Sequence, residues 1–223
     1  MQAQGRVKSR AIVTNRLLGV AALSGGAALV IHILSGVSLR MGLAVAAVGV
    51  AALGRAVWQR SSISQRVRLQ LALKVGVISG LAATLVYDIS RWLLSQLDTS
   101  PFDPFEAVRM FGEVLAGPSA PPIAGYAAGI GLHLLNGVAF AVAFCLLFGR
   151  RGLVAGASWG LLLELFQLTL YPGWLDIRAY REFAQITALS HVVYGITLGG
   201  LSRRGFDRWG WREHVGSVER AGT

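Results

Sequence analysis

The sequence predicts an all-α integral membrane protein of six transmembrane helices, with helices three and four and helices five and six forming a parallel internal repeat. Three observations carry this. Hydrophobic residues make up 54% of the 223 positions and charged ones only 14%, and the apolar residues gather in runs close to the roughly 20 that one helical crossing needs. Closed barrels are the other way to satisfy backbone groups in lipid, but these runs are continuous and lack the alternation of a barrel strand. Finally, four segments carry small residues at four-residue steps with one ionisable residue each. They are Gly76, Gly80, Thr84, Asp88; Gly125, Gly129, His133, Gly137, Ala141; Gly152, Gly156, Gly160, Glu164; and Thr187, His191, Gly195, Gly199.

Taken in order, the first span (17–34) follows Arg6, Lys8, Arg10 and Arg16. A signal peptide also begins this way, but no small-x-small cleavage site ends the run cleanly, so it reads as a membrane helix. His32 falls near its outer end, where a histidine needs no special partner. A turn around Ser35 to Ser38 leads to the second span (37–58), completing a hairpin in which Arg40 can snorkel. Residues 55–74 read as a basic cytoplasmic loop against anionic head groups; with the hairpin they make an N-terminal segment over 17–70.

The first repeat covers 71–148. Its opening span (71–97) is long enough to tilt, and Asp88 and Arg91, one turn apart, are expected to pair. A helix signature lies outside the membrane between this span and the next (123–148): Asp103 as N-cap, Pro104 at the first position, Glu106 three residues after the cap, and Gly117 with Pro118 as the stop. Its apolar set, Phe105, Val108, Phe111, Val114 and Leu115, opposes Glu106, Arg109 and Glu113. Anchoring at the interface is the ordinary role of such a helix; capping the mouth of the bundle is the sharper one.

The second repeat covers 149–201, with spans at 153–171 and 183–201. The loop between them, Tyr171, Pro172, Gly173, Trp174 and Asp176, has the aromatics of a head-group belt. The remaining residues, 202–223, mix Arg203, Arg204, Arg208 and Arg212 with Phe206, Trp209 and Trp211. Directly after a membrane helix, such a tail is an interfacial anchor and not a nucleic-acid surface.

Topology accounts for the net charge of +10. With six helices threaded, sixteen of the 21 basic residues, including Arg55, Arg60, Arg66, Arg68, Lys74, Arg150, Arg151 and Arg220, fall on one side. That side is cytoplasmic by the positive-inside rule, and both termini lie on it. The opposite side holds Asp98, Asp103, Glu106, Glu113, Asp176 and Glu182 against Arg109, Arg178 and Arg181. The single Cys145 permits no internal disulfide.

Aligning Gly76 with Gly152 matches Gly80 to Gly156 and Asp88 to Glu164 without a gap; aligning His133 with His191 matches Gly137 to Gly195. The order is acid helix, external segment, histidine helix, twice over, and the copies are expected to be related by an axis along the membrane normal. Counting residues from the outer helix ends at 1.5 Å each puts all four ionisable groups roughly 10 to 15 Å deep. They are expected to form one ring facing the bundle interior. Ionisable residues at such depth are functional by default. Asn136 and Gln167 add hydrogen-bonding capacity, and Asp88, His133, Asn136, Glu164 and His191 form the candidate ion or substrate pathway.

Histidine titrates near neutrality and buried carboxylates can be pushed up to meet it, so the first expectation is small-solute or ion transport with proton exchange. Three alternatives stay open: a redox subunit with His133 and His191 as axial ligands of a b-type haem, an enzyme holding a divalent metal on two carboxylates and two histidines, and an accessory subunit of a larger membrane complex or homo-oligomer. Membrane lipids are the expected partners and no nucleic acid is.

The stretch from Gly80 to Asp88, His133-Leu-Leu-Asn136-Gly137 and its echo His191-Val-Val-Tyr194-Gly195 resemble uncharacterised bacterial inner-membrane families of the YagU type. The resemblance covers helices three to six and implies a bacterial inner-membrane location; it assigns no functional residue.

Overall fold

A computed structural model describes residues 13–97, 103–117, 119–177 and 179–221, with side chains as far as 210. Arg6, Lys8, Arg10, Asp98, Pro101, Pro118 and Arg178, and the side chains of Trp211, Arg212 and Arg220, lie outside the described residues. Among the described residues eight helices follow one another: α1 (Val13–Ala21), α2 (Ser24–Ser35), α3 (Leu39–Arg60), α4 (Ile63–Gln96), α5 (Glu106–Ala116), α6 (Pro122–Phe148), α7 (Leu153–Trp174) and α8 (Tyr180–Ala221). The described residues contain no strand. α3, α4, α6 and α7 are long and apolar enough to cross a membrane, and α1 with α2 makes a fifth span if the bent pair is one crossing. These are the helices of a multi-pass membrane protein.

α8, the expected sixth crossing, is not among those spans within the described residues. Its buried stripe explains its lower hydropathy: Thr187, Ser190, His191 and Ser202 all face protein. α8 packs between α4 and α7, and α4 packs in turn against α6. The four core helices thus form an open arc in the order α6, α4, α8, α7, filled by Phe144, Trp159, Tyr194, Leu198, Val75 and Ala83. α2 spans the open side of the arc and touches α6 and α7 only sparsely.

Several boundaries differ from expectation, each for a local reason. The first span is broken, because α1 and α2 meet at 43°, next to the Ser24-Gly25-Gly26 triplet that lowers helix propensity. The basic loop expected over 55–74 shrinks to Ser61 and Ser62. Nothing after Gly54 breaks the helix, and Ser62 caps α4 by accepting a hydrogen bond from the Gln65 N–H (3.3 Å). The turn at 171–174 is the last turn of α7, with Pro172 inside the helix. The tail continues α8 without a break, and Lys74 of α4 lies over the Trp209 ring at 4.6 Å. The turn after α2 is as expected, closed by Gly36 in the left-handed region (φ 69°).

α5 is a cap and not only an anchor. Asp103 accepts the Phe105 N–H at 2.8 Å, with regular helix starting at Glu106. On the exposed face Arg109 bridges Glu106 and Glu113, and the bond to Glu106 holds its guanidinium above the ordinary arginine value. The other face buries Ala107, Val108, Phe111 and Gly112. Phe111 stacks on Trp174 (centroids 6.0 Å) and meets Tyr171 edge-on (6.1 Å). Arg40 does not snorkel freely; its Nε donates to the Leu115 carbonyl at 2.6 Å.

Two glycines make this docking close. A Cβ on Gly129 would stand 2.0 Å from the Val108 carbonyl oxygen, and one on Gly112 would stand 2.1 Å from that of Gly125. Overpacking of this kind costs about 1–3 kcal/mol. Gly129→Val is therefore expected to undock α5 alone, raising hydrogen exchange of amides 106–116 by about tenfold or more. Unchanged protection there would refute the docking.

Candidate functional site

The two acid–histidine pairs of the sequence are paired in space. Asp88 on α4 accepts from His133 Nε2 on α6, with the nitrogen 2.9 and 3.1 Å from the two carboxylate oxygens. Glu164 Oε2 on α7 lies 2.7 Å from His191 Nδ1 on α8. Helix packing sets both pairs. On one side Gly80 faces Val138 and Ala141 while Gly137 receives the Thr84 side chain. On the other, Gly156 faces Gly195 and Gly199, and Gly160 faces the His191 carbonyl. With side chains this small, the backbones approach closely and the next ionisable residue along each face meets its partner.

The environments are unequal. Asp88 and His133 keep side-chain exposures of 24% and 19%, whereas Glu164 keeps 3%. Glu164 Oε1 is 2.6 Å from the Thr187 hydroxyl, which also lies 2.7 Å from the Phe183 carbonyl. A hydroxyl has one proton to donate, so those two acceptors compete. His191 Nδ1 is aligned with the Thr187 carbonyl at 3.0 Å. Glu164 Oε2, although close to the same nitrogen, therefore has no aligned hydrogen bond.

The four groups do not form a single ring. Tyr87 contacts both imidazoles, with ring centroids 6.0 Å from His133 and 4.8 Å from His191. No three His, Cys, Asp or Glu groups converge among the described residues in a way that would hold a metal ion. The four-ligand metal centre is thus not assembled. A haem between two axial imidazoles fits poorly as well, because His133 Nε2 faces Asp88 and not its counterpart.

A cavity of about 420 Å³ occupies the hollow of the arc under α5. His133, His191 and Asn136 line it, together with Thr84, Tyr87, Arg91, Gln167, Tyr171 and Tyr194. Asp88 and Glu164 do not; Asp88 orients His133 from outside the lining, while His191 is oriented by the Thr187 carbonyl with Glu164 beside it. Tyr194 donates from α8 to the Gly137 carbonyl on α6 at 2.8 Å, tying the two histidine helices across the cavity floor. Tyr194 and Asn136 each follow their histidine by three residues, a correspondence visible in the sequence.

Arg91 is not Asp88's partner. It lies four residues after Tyr87, on the same helix face, and its guanidinium sits over the rings of Tyr87 (5.7 Å) and Phe105 (5.9 Å). Asp88 is turned about 100° from Tyr87 and points to α6. Tyr87, Tyr171 and Tyr194 were not singled out as site residues by spacing, because aromatic residues in apolar runs look like ordinary core.

His32 stays outside the site, its Nδ1 bonded to the Val37 carbonyl at 2.8 Å. No curated protein and no solved structure matches the chain, and nothing carries the YagU-type resemblance further. Residues 72–208, which contain both acid–histidine pairs and most of the arc, match the model of the family of unknown function DUF6789, and the chain belongs to that family.

Proposed function

We propose that this protein is a small-solute or ion transporter in which two carboxylate–imidazole pairs exchange protons beside a central cavity. One observation carries the reading: imidazoles at equivalent positions of two helix pairs both line one cavity, each backed by its own carboxylate. A structural tie between helices needs no cavity in front of it. The proposal includes six crossings, with α1 and α2 as one span and α8 as the sixth, both termini cytoplasmic, in a bacterial inner membrane. It also includes an internal duplication, which the matching contacts Gly80 with Gly137 and Gly156 with Gly195 support.

The test is proton movement in proteoliposomes. The wild type is expected to collapse an imposed pH gradient faster than empty vesicles do, and Asp88→Asn is expected to slow that collapse. An Asp88→Asn protein that folds and moves protons as the wild type does would end the proton-exchange reading.

A further inference from the structure

Arg91 poses a problem that the acid–histidine pairs do not solve. It is only 3% exposed, its Nε has no hydrogen-bond partner, and no carboxylate among the described residues pairs with it. Asp88, the nearest acid in sequence, is engaged by His133. A buried charge without a counter-ion is costly, and contact with two aromatic faces offsets part of that. The guanidinium lines the cavity. Thr84 Oγ1, Asn136 Oδ1 and Gln167 Nε2, also in the lining, are buried without partners.

Apart from the two histidines and the three tyrosines, the rest of the lining is apolar, with Leu29 and Val30 of α2, Phe140 of α6 and Leu163 of α7 among it. Ile31 on α2 and Phe166 on α7 line the cavity and are 52% and 57% exposed, and the two helices touch only sparsely. The wall between them is thin and apolar, and it is the side from which an acyl chain would enter.

We infer that the cavity binds a single-chain amphiphile with an oxyanion head, a carboxylate or a phosphate, received from the bilayer between α2 and α7 and held by Arg91. The guanidinium takes the oxyanion in a bidentate bond. Thr84 and Gln167 supply further donors, and the chain lies along the apolar wall formed by α2. The cavity volume falls within the range of small-molecule sites. This names the solute of the transport reading and uses its cavity, but binding at equilibrium requires no transport, so the two fail separately.

The experiment is equilibrium binding to the full chain in nanodiscs of zwitterionic lipid, with empty discs as the blank. The probes are dodecanoate, dodecyl phosphate, dodecanol and inorganic phosphate. Both charged amphiphiles are expected to bind at one per chain, dodecanol at least about tenfold more weakly, as for loss of a charged hydrogen bond, and inorganic phosphate not measurably. Arg91→Gln is expected to weaken dodecanoate by a similar factor and leave dodecanol unchanged; Arg91→Lys keeps the charge and should retain most of the binding. Failure of dodecanoate to exceed the blank, equal binding of dodecanol, equal binding of inorganic phosphate, or an Arg91→Gln protein that binds dodecanoate as the wild type does would each overturn the inference. Should Arg91→Gln fail to fold, the dodecanoate-to-dodecanol ratio on the wild type decides. Binding by a protein that moves no protons in proteoliposomes would keep this inference and remove the proton-exchange reading.

Discussion

Gly156→Leu unfolds or grossly destabilises the protein, and even Gly156→Ala lowers its melting temperature clearly. A Cβ at that position would stand 2.0 Å from the Gly195 carbonyl oxygen and 2.9 Å from Gly199, both of them backbone, so no side chain can swing away. The whole of α8 would have to move, and α8 is also packed on α4. Core overpacking costs about 1–3 kcal/mol and occasionally more; leucine at a backbone contact belongs at the upper end. Helix association within lipid relies on packing, with no hydrophobic force between the helices to offset the loss. Gly131→Ala on α6 is the control, because its Cβ meets nothing within 4 Å and helix propensity favours alanine by up to about 1 kcal/mol. Thermal melting in one detergent compares the three variants with the wild type. Wild-type melting for Gly156→Ala would refute the close α7–α8 contact.

These glycines show how far spacing reaches. Four-residue periodicity identifies the face on which α4, α6, α7 and α8 meet, and the acid–histidine pairing follows from it, because residues on one face at matched depth must meet. What periodicity cannot do is divide a stripe among partners. Gly125, Gly129, Gly137 and Ala141 read as one continuous surface, yet the first two receive α5 and the last two receive α4. α5 docks mainly on the helix that follows it, α6, and the periodicity of one helix does not say which neighbour its small residues receive. Arg91 is instructive for a different reason. Its neighbour Asp88 is the obvious partner along the chain, but two residues three apart on a helix diverge by about 60°, and the tertiary contact to His133 prevails. The cavity was illegible for the same reason as the tyrosines: residues around a hollow and residues in a packed core have the same composition. The helix ends differ where basic residues over 55–74 and aromatics over 171–176 read as loops, although α4 already starts after Ser62 and Pro172 sits within the last turn of α7.

Glu164→Gln is expected to abolish proton-linked flux while leaving the fold almost intact, and the separation of those two effects is what makes it informative. The amide keeps the shape of the carboxyl group. Its oxygen can still accept from the Thr187 hydroxyl, now 2.6 Å from Oε1, and its NH₂ takes the place of Oε2, 2.7 Å from His191 Nδ1. His191 Nδ1 keeps its acceptor, the Thr187 carbonyl at 3.0 Å, so no aligned hydrogen bond is lost and the stability change stays within about 1 kcal/mol. Lost is the oxygen through which the pair would exchange a proton. In the native protein Oε2 stands 2.7 Å from the imidazole with no aligned donor, and the amide has no such oxygen there. Glu164→Ala makes the contrast: the Thr187 hydroxyl keeps the Phe183 carbonyl and His191 Nδ1 keeps the Thr187 carbonyl, but the lost side chain leaves a hollow in a closed interface, at about 2 kcal/mol or more. Flux of dodecanoate into proteoliposomes under an imposed pH gradient, read together with melting temperature, distinguishes the cases. A Glu164→Gln protein that folds and transports like the wild type would reduce the pair to a structural tie between α7 and α8. One that folds and transports nothing would place proton exchange at the buried pair, with the more exposed Asp88–His133 pair unable to replace it.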